Sequence, residues 1–130
     1  GRQVTAGRGI IVSDDLIFVS RVTATARAHG LTVTPARSAD AALKVAAGRP
    51  PGGVLVDLHN PGLDLPALLA GLRAGGANPR VVGYGSHVDV AALKAARAAG
   101  CDEVLPRSRF VAELEAGLAG WLTPPGERPA

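Results

Sequence analysis

Residues 54–58 read Val54-Leu55-Val56-Asp57-Leu58, the most continuous apolar run of the chain, interrupted by a single acid. A run without polar alternation suits a strand buried on both faces, in the middle of a parallel sheet. Pro50-Pro51-Gly52-Gly53 precedes it as a turn, and a loop from His59 to Asp64 follows. Asp57 therefore stands at the downstream end of a central strand, where a carboxylate is out of place unless it does something.

Working outward, strand-like and helix-like segments alternate on both sides of this run. Gly9-Ile10-Ile11-Val12 is a short β-branched run that stops at Ser13-Asp14-Asp15, residue types that cap helices. From Leu16 to His29 the apolar residues Leu16, Val19, Val22 and Ala26 recur at helical spacing, and Gly30 ends the helix. Leu31-Thr32-Val33-Thr34 reads as a second strand. Ser38 opens a helix holding Ala41, Leu43, Val45 and Ala46, closed by Gly48. Beyond the central run, a helix passes through Leu68, Leu69 and Leu72 to Gly75-Gly76. Arg80 to Gly85 reads as a strand, Asp89 to Ala99 as a helix closed by Gly100, Asp102 to Leu105 as a short edge strand, and Ser108 to Trp121 as the last helix. The pattern predicts an α/β fold, (βα)5, with a doubly wound parallel five-stranded sheet. Residues 1–8 read as an N-terminal extension, 9–122 as the domain and 123–130 as a Pro-rich tail. Ligands of such sheets bind at the carboxyl ends of the strands. Three of those ends carry Ser13, Asp14 and Asp15, then Asp57 and His59, then Ser86 and His87.

Composition narrows the function. The chain has 130 residues and almost half are apolar, yet it holds only two Phe, one Tyr and one Trp. Ala, Val, Leu and Gly are expected to build the interior. The net charge is +3, with arginines scattered and interspersed with acids. Nucleic-acid binding asks for a concentrated basic stripe and a reading element; neither is present, so no nucleic-acid partner is expected. The single cysteine, Cys101, excludes an internal disulfide and fits a reducing compartment. No apolar run approaches the roughly 18 residues of a membrane span, and no signal-peptide core is visible. The expectation is a cytoplasmic protein with no membrane partner.

Two longer stretches carry a family resemblance. Residues 54–64, Val54-Leu55-Val56-Asp57-Leu58-His59-Asn60-Pro61-Gly62-Leu63-Asp64, fit an apolar strand, an acid, and then Pro-Gly, an apolar residue and Asp. Residues 98–105, Ala98-Ala99-Gly100-Cys101-Asp102-Glu103-Val104-Leu105, form a turn into the last strand. Together with Ile10-Ile11-Val12-Ser13-Asp14-Asp15, these resemble the receiver domain of bacterial response regulators over roughly Gly9 to Gly120. The resemblance implies the flavodoxin-like strand order 2-1-3-4-5. It places Asp57 at the phospho-acceptor and implies Mg²⁺ held by acids at the end of the first strand, by Asp57 and by the backbone carbonyl of His59. Mg²⁺ prefers such oxygen ligands. A hydroxyl after the fourth strand and a Lys after the fifth would contact the phosphoryl group. The implied partners are a histidine kinase or an effector protein, with a homodimer as a further possibility.

The departures are as informative as the matches. Ser13 stands at the first acidic position, leaving Asp14. The hydroxyl position falls on Gly85, with Ser86 next to it, the Lys position falls on Arg107, and Asn60 replaces the usual Met. Gly85, Ser86 and Arg107 are the candidate phosphate and switch residues. The chain is read as a non-enzymatic receiver-like module of a two-component phosphorelay, with a degenerate phosphorylation site at Asp57 and Mg²⁺ bound weakly or not at all. The alternatives are a phosphorylation-independent scaffold or oligomerisation domain, or a small metal- or phosphate-dependent enzyme using Asp14, Asp57, His59 and His87. Arg107 is a candidate partner for Asp57 in a permanent salt bridge. Residues 57–62 also match the Asp-x-His-x-x-Gly pattern of cobalamin-binding domains, but there the motif follows the first strand, and here two βα units precede it. The helix from Asp89 carries more alanines than one buried stripe requires. With the last strand and helix it forms the candidate interface, through Leu93, Ala95, Arg97 and Arg109.

Overall fold

Each apolar run forms a strand followed by a helix in the computed structural model of the chain, which describes residues 5–127. The strands are β1 (Arg8–Val12), β2 (Thr32–Ala36), β3 (Gly53–Asp57), β4 (Arg80–Gly85) and β5 (Glu103–Pro106). The helices are α1 (Leu16–Ala28), α2 (Ala39–Gly48), α3 (Leu65–Ala74), α4 (Val90–Ala99) and α5 (Arg107–Trp121). All pairings are parallel and the order is β2-β1-β3-β4-β5. This is the expected (βα)5 sheet.

Boundaries differ by one or two residues for local reasons. β2 runs on through Pro35, which sits opposite Ile11. Proline removes a ladder donor, and β2 tolerates it because its other side is a free edge. Among Ser13, Asp14 and Asp15, it is Asp15 that caps α1, its Oδ1 accepting from Phe18 N at 3.1 Å. Ser38, Asp64 and Asp89 cap α2, α3 and α4 in the same way, whereas α5 follows Pro106 with no side-chain cap.

Alternation along the central strand splits the core. Val54 and Val56 pack with Ile10, Val12, Leu68 and Leu72 on the side of α2 and α3. Leu55 packs with Ile11, Val22, Leu114 and Leu118 on the side of α1 and α5. The aromatic residues, few in number, all gather on that second side. Tyr84 stacks on Phe110 at a centroid distance of 4.4 Å, Phe110 stacks on Trp121 at 4.7 Å, and Phe18 closes against Tyr84 at 5.1 Å. The interior is thus not built from small aliphatic residues alone.

Residues 122–124, just after α5, are bedded against the sheet. Leu122, Thr123 and Pro124 are buried, Leu122 O accepts from Gly7 N, and Arg80 Nε donates to Thr123 O. The expected extension and tail therefore begin within the packed body. Residues 1–4 and 128–130, which belong to them, lie outside the described residues. Among the described residues, no helix is long and apolar enough to cross a membrane.

Candidate functional site

The carboxyl ends of β1, β3 and β4 bring the predicted acids, hydroxyls and histidine to one edge. Asp57 is the last residue of β3 and is 8% exposed. Both of its carboxylate oxygens are engaged by neutral donors. Ser13 Oγ donates to Oδ2 at 2.9 Å, and the His59 backbone N–H donates to Oδ1 at 2.9 Å. Ser13 is itself buried, and its oxygen accepts from Asp15 N at 3.1 Å. The side chain that departs from the family pattern is therefore built into the site as a hydroxyl bridge between the α1 N-terminus and Asp57.

Arg107 goes elsewhere than expected. Its Nη2 donates to Asp15 Oδ2 at 3.1 Å, and its guanidinium lies over the Phe18 ring, 4.4 Å from the centroid. The proposed salt bridge to Asp57 is not formed, because the start of α5 faces the start of α1 rather than the end of β3. The Phe18 N–H, and then Arg107, hold the Asp15 carboxyl below the usual carboxylate range. Asp14 is exposed, and its backbone N–H donates to Asn60 Oδ1 at 2.9 Å. Asn60 in turn donates to Arg37 O at 2.9 Å, so this buried amide joins the loops after β1, β2 and β3. In the sequence Asn60 stands out only as a departure from the family pattern; its burial, which marks it as a site residue, is visible only in the structure.

Gly85 ends β4 with His59 in front of it. A Cβ at Gly85 would lie 3.0 Å from His59 Nε2. That same nitrogen accepts from Ser86 N at 2.9 Å, and Nδ1 stands 3.9 Å from Asp89 Oδ2. An open cavity of about 560 Å³ beside them is lined by His59, Ser86, His87, Arg107, Ser108 and Val111. Below the site lies Tyr84, whose buried hydroxyl has no hydrogen-bond partner among the described residues; burial, and then the Asp57 charge, push its titration upward. In the sequence Tyr84 is one more residue of a strand, and nothing there shows its place under the acids.

The donors fit Mg²⁺ incompletely. Two carboxylates and the His59 carbonyl are available, but Ser13 brings a proton aimed at Asp57 where a charged oxygen would complete the shell. Among the described residues no three His, Cys, Asp or Glu side chains are grouped to hold a metal ion.

The interface residues divide. Leu93 is buried against Ala96 and Val104, so it is a core residue and not a surface contact. Its side chain falls on the helical stripe that faces the sheet. Ala95 and Arg97 are exposed on α4. Arg109 is exposed and pairs with Glu113 one turn on in α5. Asp102, beside this face just before β5, accepts from Val81 N at 2.7 Å.

Known structures agree with this architecture. The chain superposes on the receiver domain of NtrX from Brucella abortus with a TM-score of 0.69 at 22% identity, covering 85% of this chain and 97% of that one. The Francisella response regulator 1452 receiver domain gives 0.72 at 20%, covering 88% and 94%. The beryllofluoride-activated NtrC4 receiver domain dimer gives 0.71 at 18%, covering 88% and 98%. The chain has the receiver fold. No protein-family model and no curated protein matches it. Identities this low carry the fold alone, so the chemistry has to be argued from the residues present.

Proposed function

We propose that this chain is a receiver-like signalling module of a two-component phosphorelay, acting through contacts with a histidine kinase or an effector protein, with a degenerate phosphorylation site at Asp57. The carrying observation is the pair of neutral hydrogen bonds on the Asp57 carboxylate. They orient an acid at the ligand-binding edge of the fold, yet neither neutralises the charge that gathers there during phosphoryl transfer. Gly85 offers no hydroxyl, and Arg107 is spent on Asp15. Asp57 is thus oriented as a nucleophile with no cationic side chain paired to it among the described residues. Asp14, Asp57 and the His59 carbonyl are the residues toward which Mg²⁺ would turn, with weak binding or none. The α4–β5–α5 face, with Ala95, Arg97 and Arg109, is the proposed contact surface, for a partner or a second copy.

The test is acetyl phosphate with Mg²⁺, followed by intact mass. The expected result is a partial adduct of about 80 Da, one phosphoryl group, absent from the Asp57→Asn variant. Rapid stoichiometric phosphorylation would show a working site instead. No adduct, with partner binding unchanged in Asp57→Asn, would favour the phosphorylation-independent scaffold, the reading that the Ser13 bridge also suits.

A further inference from the structure

The geometry points to His59 as a built-in latch that fastens the loop between β4 and α4 to the loop after β3 with no phosphoryl group. The loop runs from Ser86 to Asp89, and His59 meets both ends. Its Nε2 accepts from the Ser86 N–H at 2.9 Å, and its Nδ1 lies 3.9 Å from Asp89 Oδ2, the carboxylate that also caps α4. An accepting Nε2 places the ring proton on Nδ1, on the side of Asp89. Within the loop, Asp89 N donates to Ser86 O and Val88 N to Ser86 Oγ, so fastening Ser86 fastens the whole turn into α4.

Gly85 belongs to the same device. The ring fills the space in which a side chain at position 85 would stand, since a Cβ there would come within 3.0 Å of Nε2 and 3.4 Å of Cδ2. Glycine at 85 and histidine at 59 are thus one feature: the first makes room, and the second supplies the bond. The His59 side chain is 43% exposed, so filling the core does not explain its position. The latch presents Val88 and Val90, 75% and 65% exposed, in one fixed arrangement at the head of α4. Its existence follows from the loop geometry alone; its meaning, a switch segment held permanently, rests on the signalling reading above. The phosphorylation test and the following one therefore fail separately.

Amide hydrogen exchange followed by NMR on the full chain reads the latch at Ser86. Leu at position 59 keeps bulk without an acceptor, and His59→Leu is expected to speed Ser86 exchange about tenfold, the loss of one hydrogen bond. His59→Gln, whose amide oxygen reaches the Nε2 position, is expected to stay within about threefold of the wild-type rate. Gly85→Ala, which crowds the ring without touching it chemically, is expected to match His59→Leu. Core amides such as Val82 report that the fold is intact. Ser86 exchange and loop shifts unchanged in both His59→Leu and Gly85→Ala would overturn the latch, as would a Gln variant as fast as the Leu variant.

Discussion

Ser13 donates its hydroxyl to Asp57 across the β1–β3 pair at 2.9 Å, so the residue standing where an acid would be expected brings a hydrogen-bond donor to Asp57 instead of a second charge. A carboxylate at that position would repel Asp57 and would need a cation between the two. Ser13→Asp is therefore expected to lose thermal stability in EDTA and to regain it in Mg²⁺, because an ion bound only by the folded state stabilises it. Mg²⁺ titration monitored at the Asp57–Asn60 amides should show affinity rising about tenfold or more over the wild type. Tight, sub-millimolar binding by the wild type itself, on the order expected of a complete oxygen shell, would contradict the incomplete donor set.

The pairing of Arg107 with Asp15 has a consequence that titration can read. The Phe18 N–H is the larger cause of the lowered Asp15 carboxyl, and Arg107 the next. Arg107→Ala is expected to raise the Asp15 titration part of the way toward its ordinary value, with the cap retained. A folded carboxyl held low stabilises the protein above its unfolded value and loses that contribution as pH falls through the folded one. The difference in stability between wild type and Arg107→Ala should therefore be present at neutral pH and vanish in acid. Carboxyl-carbon NMR of Asp15, with unfolding measured at both pH values, checks both parts.

Cys101 lies half-buried where the chain turns into β5. Burial pushes its thiol up to about 11, with the Asp102 carboxylate adding to the rise and Arg73 opposing it. Two units above the ordinary value leaves roughly 100-fold less thiolate at pH 8. Iodoacetamide should label the folded chain on the order of 100-fold more slowly than the urea-unfolded chain, by mass, with the rate climbing as pH approaches 11.

The bed under the sheet gives a stability test. A Cβ at Gly53 would lie 2.0 Å from Trp121 O, and one at Gly52 2.1 Å from Leu122 O, in each case against backbone that has little room to yield. Gly53→Ala is expected to cost about 3 kcal/mol, from overpacking. Gly48, in the last turn of α2, has nothing within 4 Å of its would-be Cβ. Gly48→Ala should gain roughly 0.5 kcal/mol by restricting the unfolded chain. Urea unfolding with unchanged slopes separates the two effects.

The fold was legible because its signals are local. Apolar runs of strand length end at capping residues, and Gly30 and Gly100 close their helices at φ of +71° and +113°, where a side chain would be strained. The position of Asp57 followed from the same logic. The partners within the site did not, because they depend on how loops far apart in sequence face one another. Nothing in the spacing of Arg107 and Asp15, 92 residues apart, tells whether the guanidinium turns to α1 or to β3. The aromatic cluster joins three separate elements, α1, β4 and α5, for the same reason. Leu93 was misplaced because an alanine-rich helix gives weak contrast between its faces. Only the packing against Val104 distinguishes them.

Leu93 and Ala96 of α4 face the core, while Ala91, Ala95, Ala98 and Ala99 are exposed together with Lys94 and Arg97. Alanines buried against the sheet need no further explanation, but the exposed ones leave a face with little side chain to immobilise. Beside it, Ala92, Ala95 and Ala99 line an open groove of about 510 Å³ whose other wall is Leu58, Leu63, Leu65 and Pro66. Close approach of another backbone over small side chains, with Arg97 setting register, is the contact proposed for this face. Arg109 is expected to contribute less than Arg97, because Glu113 pairs with it on its own helix. Ala95→Glu places a charge in the middle of the contact, and Arg97→Glu reverses the sign at its rim. Both are expected to weaken self-association, or capture of a partner, about tenfold or more while leaving the urea midpoint within about 0.5 kcal/mol of wild type, as exposed substitutions do. Sizing across a range of concentrations, paired with pull-down, measures this. A strict monomer whose captured partners are unchanged by both substitutions would show that the exposed alanines serve only as good helix formers on a solvated face.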